Sequence, residues 1–297
     1  TCLLPGAHAL NTQQPQSPPE HTDIVMRLSG SGGREFLHGQ TTADFSDCGV
    51  GSYRYAAFCN PKGRVLADVL AVITDEQEVL LRGRETVMAV LAEHLKPYLG
   101  FSRCSLTPTD WRIGCRADSA DENHAGLHFA EASLVAVTLP MGSKHTEYWT
   151  APHESEEGGQ SDPLWLEIKN QRARIENHTI GSYLPQDLDY DCNGTVSFTK
   201  GCYTGQEIVA RLHYRGTPKR RLHRAETNVP VVAGDMLVNA EGKTVGSIVN
   251  HCTRDQTHEL LIELVPEAAA KPVTLKGGQS ELAQITRCHD DNDQSTG

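Results

Sequence analysis

The sequence predicts an α+β protein of mixed strand and helix layers, followed by a small antiparallel β-barrel. Three observations predict this. Short apolar runs with strand character are interrupted by isolated helical patterns, an order that suits α+β layers and not a doubly wound parallel sheet. After Arg215 the texture changes: Gly234-Asp235 and Glu241-Gly242 punctuate short apolar runs, as in small barrels. The length of 297 residues allows roughly two domains at ~100–200 residues each.

Residues 1–23 read as a tail, with Pro5, Pro15, Pro18 and Pro19 among Gln, Ser, Thr and His. The first basic side chain is Arg27, so neither a secretory n-region nor a mitochondrial presequence is expected. Because the chain starts at Thr1, a trimmed segment stays open. Strands are expected at Ile24–Leu28, Tyr53–Phe58, Arg64–Ile73 and Val79–Arg82. Glu85–Leu95 is the best helix: Val87, Val90, Leu91 and Leu95 share one face, and Lys96-Pro97 should stop it. Leu134–Leu139 and Thr146–Thr150 follow as strands, then an acidic exposed loop at 152–163. Met236–Val238, Thr244–Val249 and Glu259–Leu264 are the barrel strands, and Asp290–Gly297 is a frayed tail. The expected division is 24–215 for the α+β part and 216–289 for the barrel.

The chain carries 27 Lys+Arg against 38 Asp+Glu, a formal net charge of -11, which argues against a nucleic-acid coat or an anionic-membrane binder. No apolar run approaches the ~18–20 residues of a spanning helix. A cytoplasmic protein is expected. The nine cysteines are odd in number, spread along the chain, and never spaced C-x2-C, so neither a disulfide framework nor a zinc ribbon is expected. Most should be reduced, buried thiols. No H-E-x-x-H motif, P-loop or serine nucleophile elbow occurs.

The informative stretch is Val196–Arg224. Thr204-x-x-Glu207 fits a capping box before a short helix to about Leu212. Such a helix would put Cys202 two residues upstream of its N-terminus, where the dipole and Lys200 should lower the thiol pKa. Gly201 and Gly205 flank the thiol and allow close approach or unusual backbone angles. Cys202 then reads either as a reactive or ligand-accepting thiolate, or as a small residue filling a tight turn. Downstream, Arg211, Arg215, Lys219, Arg220, Arg221 and Arg224 stand in a stretch free of acids between Ile208 and Ala225. That stretch is either a solvated face balancing acidic neighbours or an anion site.

The run K-G-C-Y-T-G-Q-E-x-x-x-R, Lys200–Arg211, resembles the signature of the YgfZ-type folate-binding proteins, relatives of the glycine cleavage aminomethyltransferase (T-protein). Nine of its twelve positions are fixed, so the signal is specific. Phe36–Asp44 (FLHGQTTAD), Ala57–Gly63 (AFCNPKG) and the stretch RARIENHTIGSYLP ending at Pro185 resemble further stretches of that family. The resemblance covers about residues 24–265. It implies two interleaved ferredoxin-like units plus a C-terminal antiparallel β-barrel, arranged as a three-domain ring that can stand as a monomer.

In the relatives the central opening holds tetrahydrofolate. The resemblance therefore implies tetrahydrofolate or a derivative as cofactor. Trp165, Tyr183, Tyr203 and Tyr214 would be walls, Gln206 or Glu207 would meet the pterin edge, Arg211 and Arg215 the tail carboxylates, and Lys200, beside the thiol, would also bind the cofactor. The aminomethyltransferases carry two adjacent aspartates after the Asn-x-x-Gly turn. Here the first position falls on Ala67, followed by Asp68. The resemblance thus points to an accessory protein for iron–sulfur cluster synthesis or repair. Its partners would be iron–sulfur proteins such as tRNA-thiomethylating enzymes. Cys202 would be the reactive thiol and a transient cluster ligand; no resident metal is expected. The alternatives are a folate-dependent aminomethyl or one-carbon transferase using Asp68 or Glu207, and an RNA-binding module using Lys219–Arg224.

Overall fold

The computed structural model describes residues 22–117, 126–131, 134–139, 145–152, 163–254 and 256–289. The expected tails and the loop at 152–163 fall almost wholly outside them.

The first layer is a five-stranded antiparallel sheet of β1 (Asp23–Ser29), β2 (Tyr53–Cys59), β3 (Val65–Asp75), β4 (Glu78–Arg84) and β5 (Ser105–Pro108), in the order β2-β3-β4-β1-β5. Two helices, α1 (Gly33–Gln40) and α2 (Glu85–Leu99), accompany it. The second layer holds β6 (Arg112–Ala117), β7 (Gly126–Glu131), β8 (Leu134–Leu139) and β9 (His145–Thr150), ordered β6-β9-β8-β7. Helices α3 (Pro163–Lys169) and α4 (Gln206–Arg215) are joined by a long segment with 3-10 turns at Asn177–Thr179 and Pro185–Leu188. This segment returns to the first sheet: Gly181 donates to the Val65 carbonyl and Val65 to that of Tyr183, both at 2.8 Å. The last layer is a six-stranded antiparallel sheet that curls into a half-barrel. It comprises β10 (Arg221–Thr227), β11 (Met236–Asn239), β12 (Thr244–Arg254), β13 (Thr257–Leu264), β14 (Val273–Leu275) and β15 (Ala283–Arg287), ordered β14-β11-β12-β13-β10-β15. The architecture is the α+β arrangement that the sequence predicts.

Why β3 is apolar on both faces follows from what covers it. Val69, Ala71 and Ile73 belong to the core shared with Leu91 and Leu95 of α2, whereas Leu70 and Val72 pack with Val135, Val137 and Trp149 of the second sheet. A strand of period two buried on both sides needs an unbroken apolar run. Val79 and Leu81 against Leu80 repeat the same division in β4.

Two expectations for α2 need correction. Val90 is 48% exposed and Met88 takes its place among the buried residues. Pro97 lies inside the helix, which runs to Leu99. A proline removes the bond to the carbonyl four residues back. Here that residue is the exposed Glu93, whose carbonyl can turn to water, so the last turn survives.

Asn250 is one of the residues that dock the half-barrel on the segment after α3. A register shift between Ile248 and Asn250 in β12 turns Asn250 inward. Its amide accepts from the Arg174 backbone N–H at 2.7 Å and donates to the Arg174 carbonyl at 3.1 Å and to Glu176 at 3.0 Å. Among the described residues no helix is long and apolar enough to cross a membrane.

Candidate functional site

The four stretches that carry the family resemblance meet at one place. The Asn60–Gly63 turn presses against the start of α4: a Cβ on Gly205 would lie 2.5 Å from the Asn60 carbonyl oxygen and 3.0 Å from Gly63 Cα. Both glycines take positive φ, +84° at Gly205 and +71° at Gly63. The end of α1 closes the other side. Lys200 Nζ donates to the carbonyls of Thr41, at 2.7 Å, and His38, and Ser197 donates to the Thr42 carbonyl at 2.9 Å. The returning segment completes the cluster, with Gly181 facing the Asn60 side chain.

The expected capping box at Thr204 and Glu207 does not form. The N-cap is Gly205, with no side-chain cap, and α4 runs to Arg215 instead of Leu212. The left-handed step at Gly205 delays the helix past Thr204, so Cys202 sits three residues before the N-cap. Dipole effects fade beyond the first turn. Lys200 is also not a free cation beside the thiol. It is buried, its ammonium lies 5.1 Å from the Tyr203 ring centroid, and burial lowers its pKa to about 8. What the turn achieves is presentation. Cys202 is the exposed thiol among the described cysteines, while Cys48, Cys59, Cys115 and Cys252 are buried and Cys104, Cys192 and Cys288 half-buried.

Tyr203 is buried, and Gln206 donates to the Gly201 carbonyl at 3.4 Å. Glu207, Arg211 and Arg215 are exposed on α4. Tyr214 is exposed too, set edge-on to Phe198 and His213, and His213 stacks on Phe198 at 3.6 Å. Trp165 has other neighbours: Lys169 and Arg254 stand over its ring at 4.7 and 4.4 Å, and its indole N–H donates to Glu259. Tyr183 is buried, its hydroxyl 3.0 Å from Ser247 Oγ. One residue missed in the sequence is His38, whose Nε2 lies 3.3 Å from a Cβ placed on Gly201. It occupies the variable position of FLHGQ.

Half of the basic stretch is neutralised by distant acids. Arg221 pairs with Asp191 at 2.8 Å, Arg220 with Glu263 at 2.8 Å and Arg224 with Glu259 at 3.4 Å. Arg211, Arg215 and Lys219 carry no such pair among the described residues. Asp189, Asp191 and Cys192 bring ligand atoms within 4.8 Å of one another. Arg221, Arg287 and His289 already pair with that cluster, which therefore needs no cation.

Where the three sheets converge, a cavity of about 590 Å³ is lined by Asp23, Arg84, Trp111, Arg112, Leu164 and His251 among others. None of Lys200–Arg215 lines it. Beneath it lies a buried charge network invisible to the sequence reading. Arg82 binds Glu147, Glu167 (2.8 Å) and Asp23 (3.1 Å). Arg84 binds Asp23 (2.9 Å), Glu167 (3.1 Å) and Glu176 (3.0 Å). Arg174 binds Asp68 and Glu167. Five carboxyl groups thus face three buried guanidinium groups. Burial raises the pKa of Asp68 to about 7 and raises that of Glu167, while the guanidinium groups oppose both shifts. Both Asp68 oxygens accept hydrogen bonds, one from Arg174 Nε and one from the Ile175 N–H at 2.6 Å. Ala67 is fully buried in β3.

No family model matches the chain. It is 26% identical over 265 residues to the tRNA-modifying protein YgfZ of Blochmanniella pennsylvanica, covering 77% of this chain and 80% of that one. The tRNA-modifying protein YgfZ of Escherichia coli is 29% identical over 218 residues, 66% of this chain and 67% of that one. The crystal structure of glycine cleavage system aminomethyltransferase T from Bartonella henselae superposes with a TM-score of 0.64 at 14% identity, covering 92% of this chain and 84% of that chain. The chain is thus similar in sequence to the tRNA-modifying proteins named YgfZ and folded like the glycine cleavage aminomethyltransferase.

Proposed function

We propose that the chain is a tetrahydrofolate-binding accessory protein of tRNA modification. It supports the synthesis or repair of iron–sulfur clusters in enzymes that thiomethylate tRNA, and Cys202 is its reactive group. One observation carries the reading: all four motif segments converge on the turn that presents Cys202, the exposed thiol among the described cysteines. The half-buried Gln206 and the exposed Glu207, Arg211 and Arg215 follow that thiol along α4 and are available to a client surface or a polyglutamate tail.

The three-sheet cavity fits a pterin. Its volume is that of a small-molecule site, Trp111 offers a flat wall, and Asp23, Arg84 and Arg112 supply polar groups at its edge. When bound, reduced folate supplies one-carbon or reducing chemistry. The chain's own part is to orient the ring and exclude water. Direct aminomethyl transfer is disfavoured, because Ala67 offers no charge and both Asp68 oxygens are committed to Arg174 and Ile175.

Titration of the purified protein with tetrahydrofolate tests the folate part. Saturating ligand should raise the melting temperature, and Trp111→Ala should abolish the rise. Absence of any shift with the unaltered protein overturns the folate reading.

A further inference from the structure

A second cavity, of about 740 Å³, opens between the Tyr183–Asp187 turn, the loop after α4 and strands β11, β12 and β13. At its floor Glu263 is 1% exposed. One carboxylate oxygen, Oε1, accepts from Ser247 Oγ and from Arg220 Nη1, both at 2.8 Å. The other, Oε2, is buried and has no hydrogen-bond partner. Buried carboxylate oxygens are ordinarily satisfied, so this one is an acceptor awaiting a donor. Burial pushes the Glu263 pKa up to about 7.

The rest of the lining sorts by chemistry. Lys219 is exposed and carries no ion pair among the described residues, whereas Arg64, 41% exposed, donates to the Ser182 carbonyl at 2.7 Å and pairs at 3.6 Å with Asp187 of the same lining. Lys219 brings an unpaired positive charge to an anion, and the exposed part of Arg64 stands beside it. Leu184, Leu212 and Met236 supply apolar surface between rim and floor. A ligand matching all three zones has a flat ring bearing an N–H donor at one end and an anionic group at the other.

We propose that this cavity binds a small amino-substituted heteroaromatic anion, its ring N–H donating to Glu263 Oε2 and its anionic end held by Lys219 and Arg64. A purine nucleotide and a reduced folate share that chemistry. The folate arm of this inference rests on the folate reading, but the site shares no lining residue with the three-sheet cavity, so variants of the two cavities tell them apart.

The test is calorimetric titration with guanosine monophosphate and, separately, with tetrahydrofolate. The proteins are the unaltered chain, Glu263→Gln, Lys219→Glu and Trp111→Ala. At least one ligand should bind the unaltered chain and lose about tenfold or more in affinity in both Glu263→Gln and Lys219→Glu. Lys219 is exposed, so its variant reports binding even where Glu263→Gln fails to fold. Nucleotide binding identifies the nucleotide as source; folate binding lost in Lys219→Glu identifies the folate. If neither ligand binds, the proposal is overturned. It is equally overturned if folate binding survives Lys219→Glu and Glu263→Gln and is lost only in Trp111→Ala, a result that leaves the three-sheet folate site intact.

Discussion

Gly63 and Gly205 meet backbone to backbone, each at positive φ; a Cβ on Gly205 would strike the Asn60–Gly63 turn, and one on Gly63 would crowd Ile208 at 3.0 Å. This contact joins the Asn60–Gly63 turn to the start of α4 and so fixes the loop that carries Cys202. Gly205→Ala would suffer both a left-handed backbone and a Cβ at 2.5 Å from the Asn60 carbonyl oxygen. We expect a loss of about 2 kcal/mol or more, read as a lower denaturant midpoint at unchanged slope. An unchanged midpoint would mean that the contact is not formed in solution.

The Arg174 guanidinium faces Asp68 and Glu167 in the buried network. Arg174→Met would leave both carboxyl groups buried without that partner, at a cost of about 3–5 kcal/mol. Adding Asp68→Asn should recover part of the loss, since the pair is coupled. Strict additivity in a denaturation cycle would show that the two do not interact.

Stability should depend on pH through the buried acids. Asp68 and Glu263 have folded pKa values raised to about 7 by burial. Between the ordinary carboxylate range of about 4 and that value, the folded state binds more protons than the unfolded chain. Their contribution is therefore largest near the acid end and is lost as pH rises to about 7. Asp189 opposes this at lower pH. Hydrogen bonds and charge from His289 and Arg287 outweigh its burial and lower its pKa, so its contribution is lost as pH falls through that lowered value. Asp68→Asn should flatten the decline between pH 4 and 7 measured by chemical denaturation; an identical profile would contradict the assignment.

Exposure ranks the thiols. Brief alkylation of the native protein should label Cys202 well before the buried Cys59, Cys115 and Cys252, as mass spectrometry of digests would show. Cys202→Ser should leave the melting temperature within a degree or two, because an exposed loop side chain contributes little packing.

Much of the fold was legible because it rests on local pattern. The apolar run Val69–Ile73 of β3 and the Gly-punctuated strands after Arg215 announce buried strands and a barrel. Reading failed where one backbone angle or a distant partner decides. Thr204-x-x-Glu207 is a sound capping pattern, yet the left-handed step at Gly205 moves the helix start beyond it. The acid-free stretch left open a solvated face balancing acidic neighbours or an anion site, and only the structure shows that Asp191, Glu259 and Glu263 reach half of it from elsewhere. The charge network draws Asp23, Arg82, Glu147, Glu167 and Arg174 from four elements and the segment after α3, and no local window contains them. Its one trace was Arg82-x-Arg84 at the end of an otherwise apolar strand, where two cations on one buried face demand acids opposite.

The central claim is that Cys202 acts on clients through a turn built to expose it. The direct measurement is thiomethylated tRNA in cells lacking their own YgfZ-type protein and supplied with this chain or with Cys202→Ala. The unaltered chain should restore the modification, and the variant, at equal abundance and equal melting temperature, should not. Full restoration by Cys202→Ala would contradict the account and return the residue to a structural role in the turn.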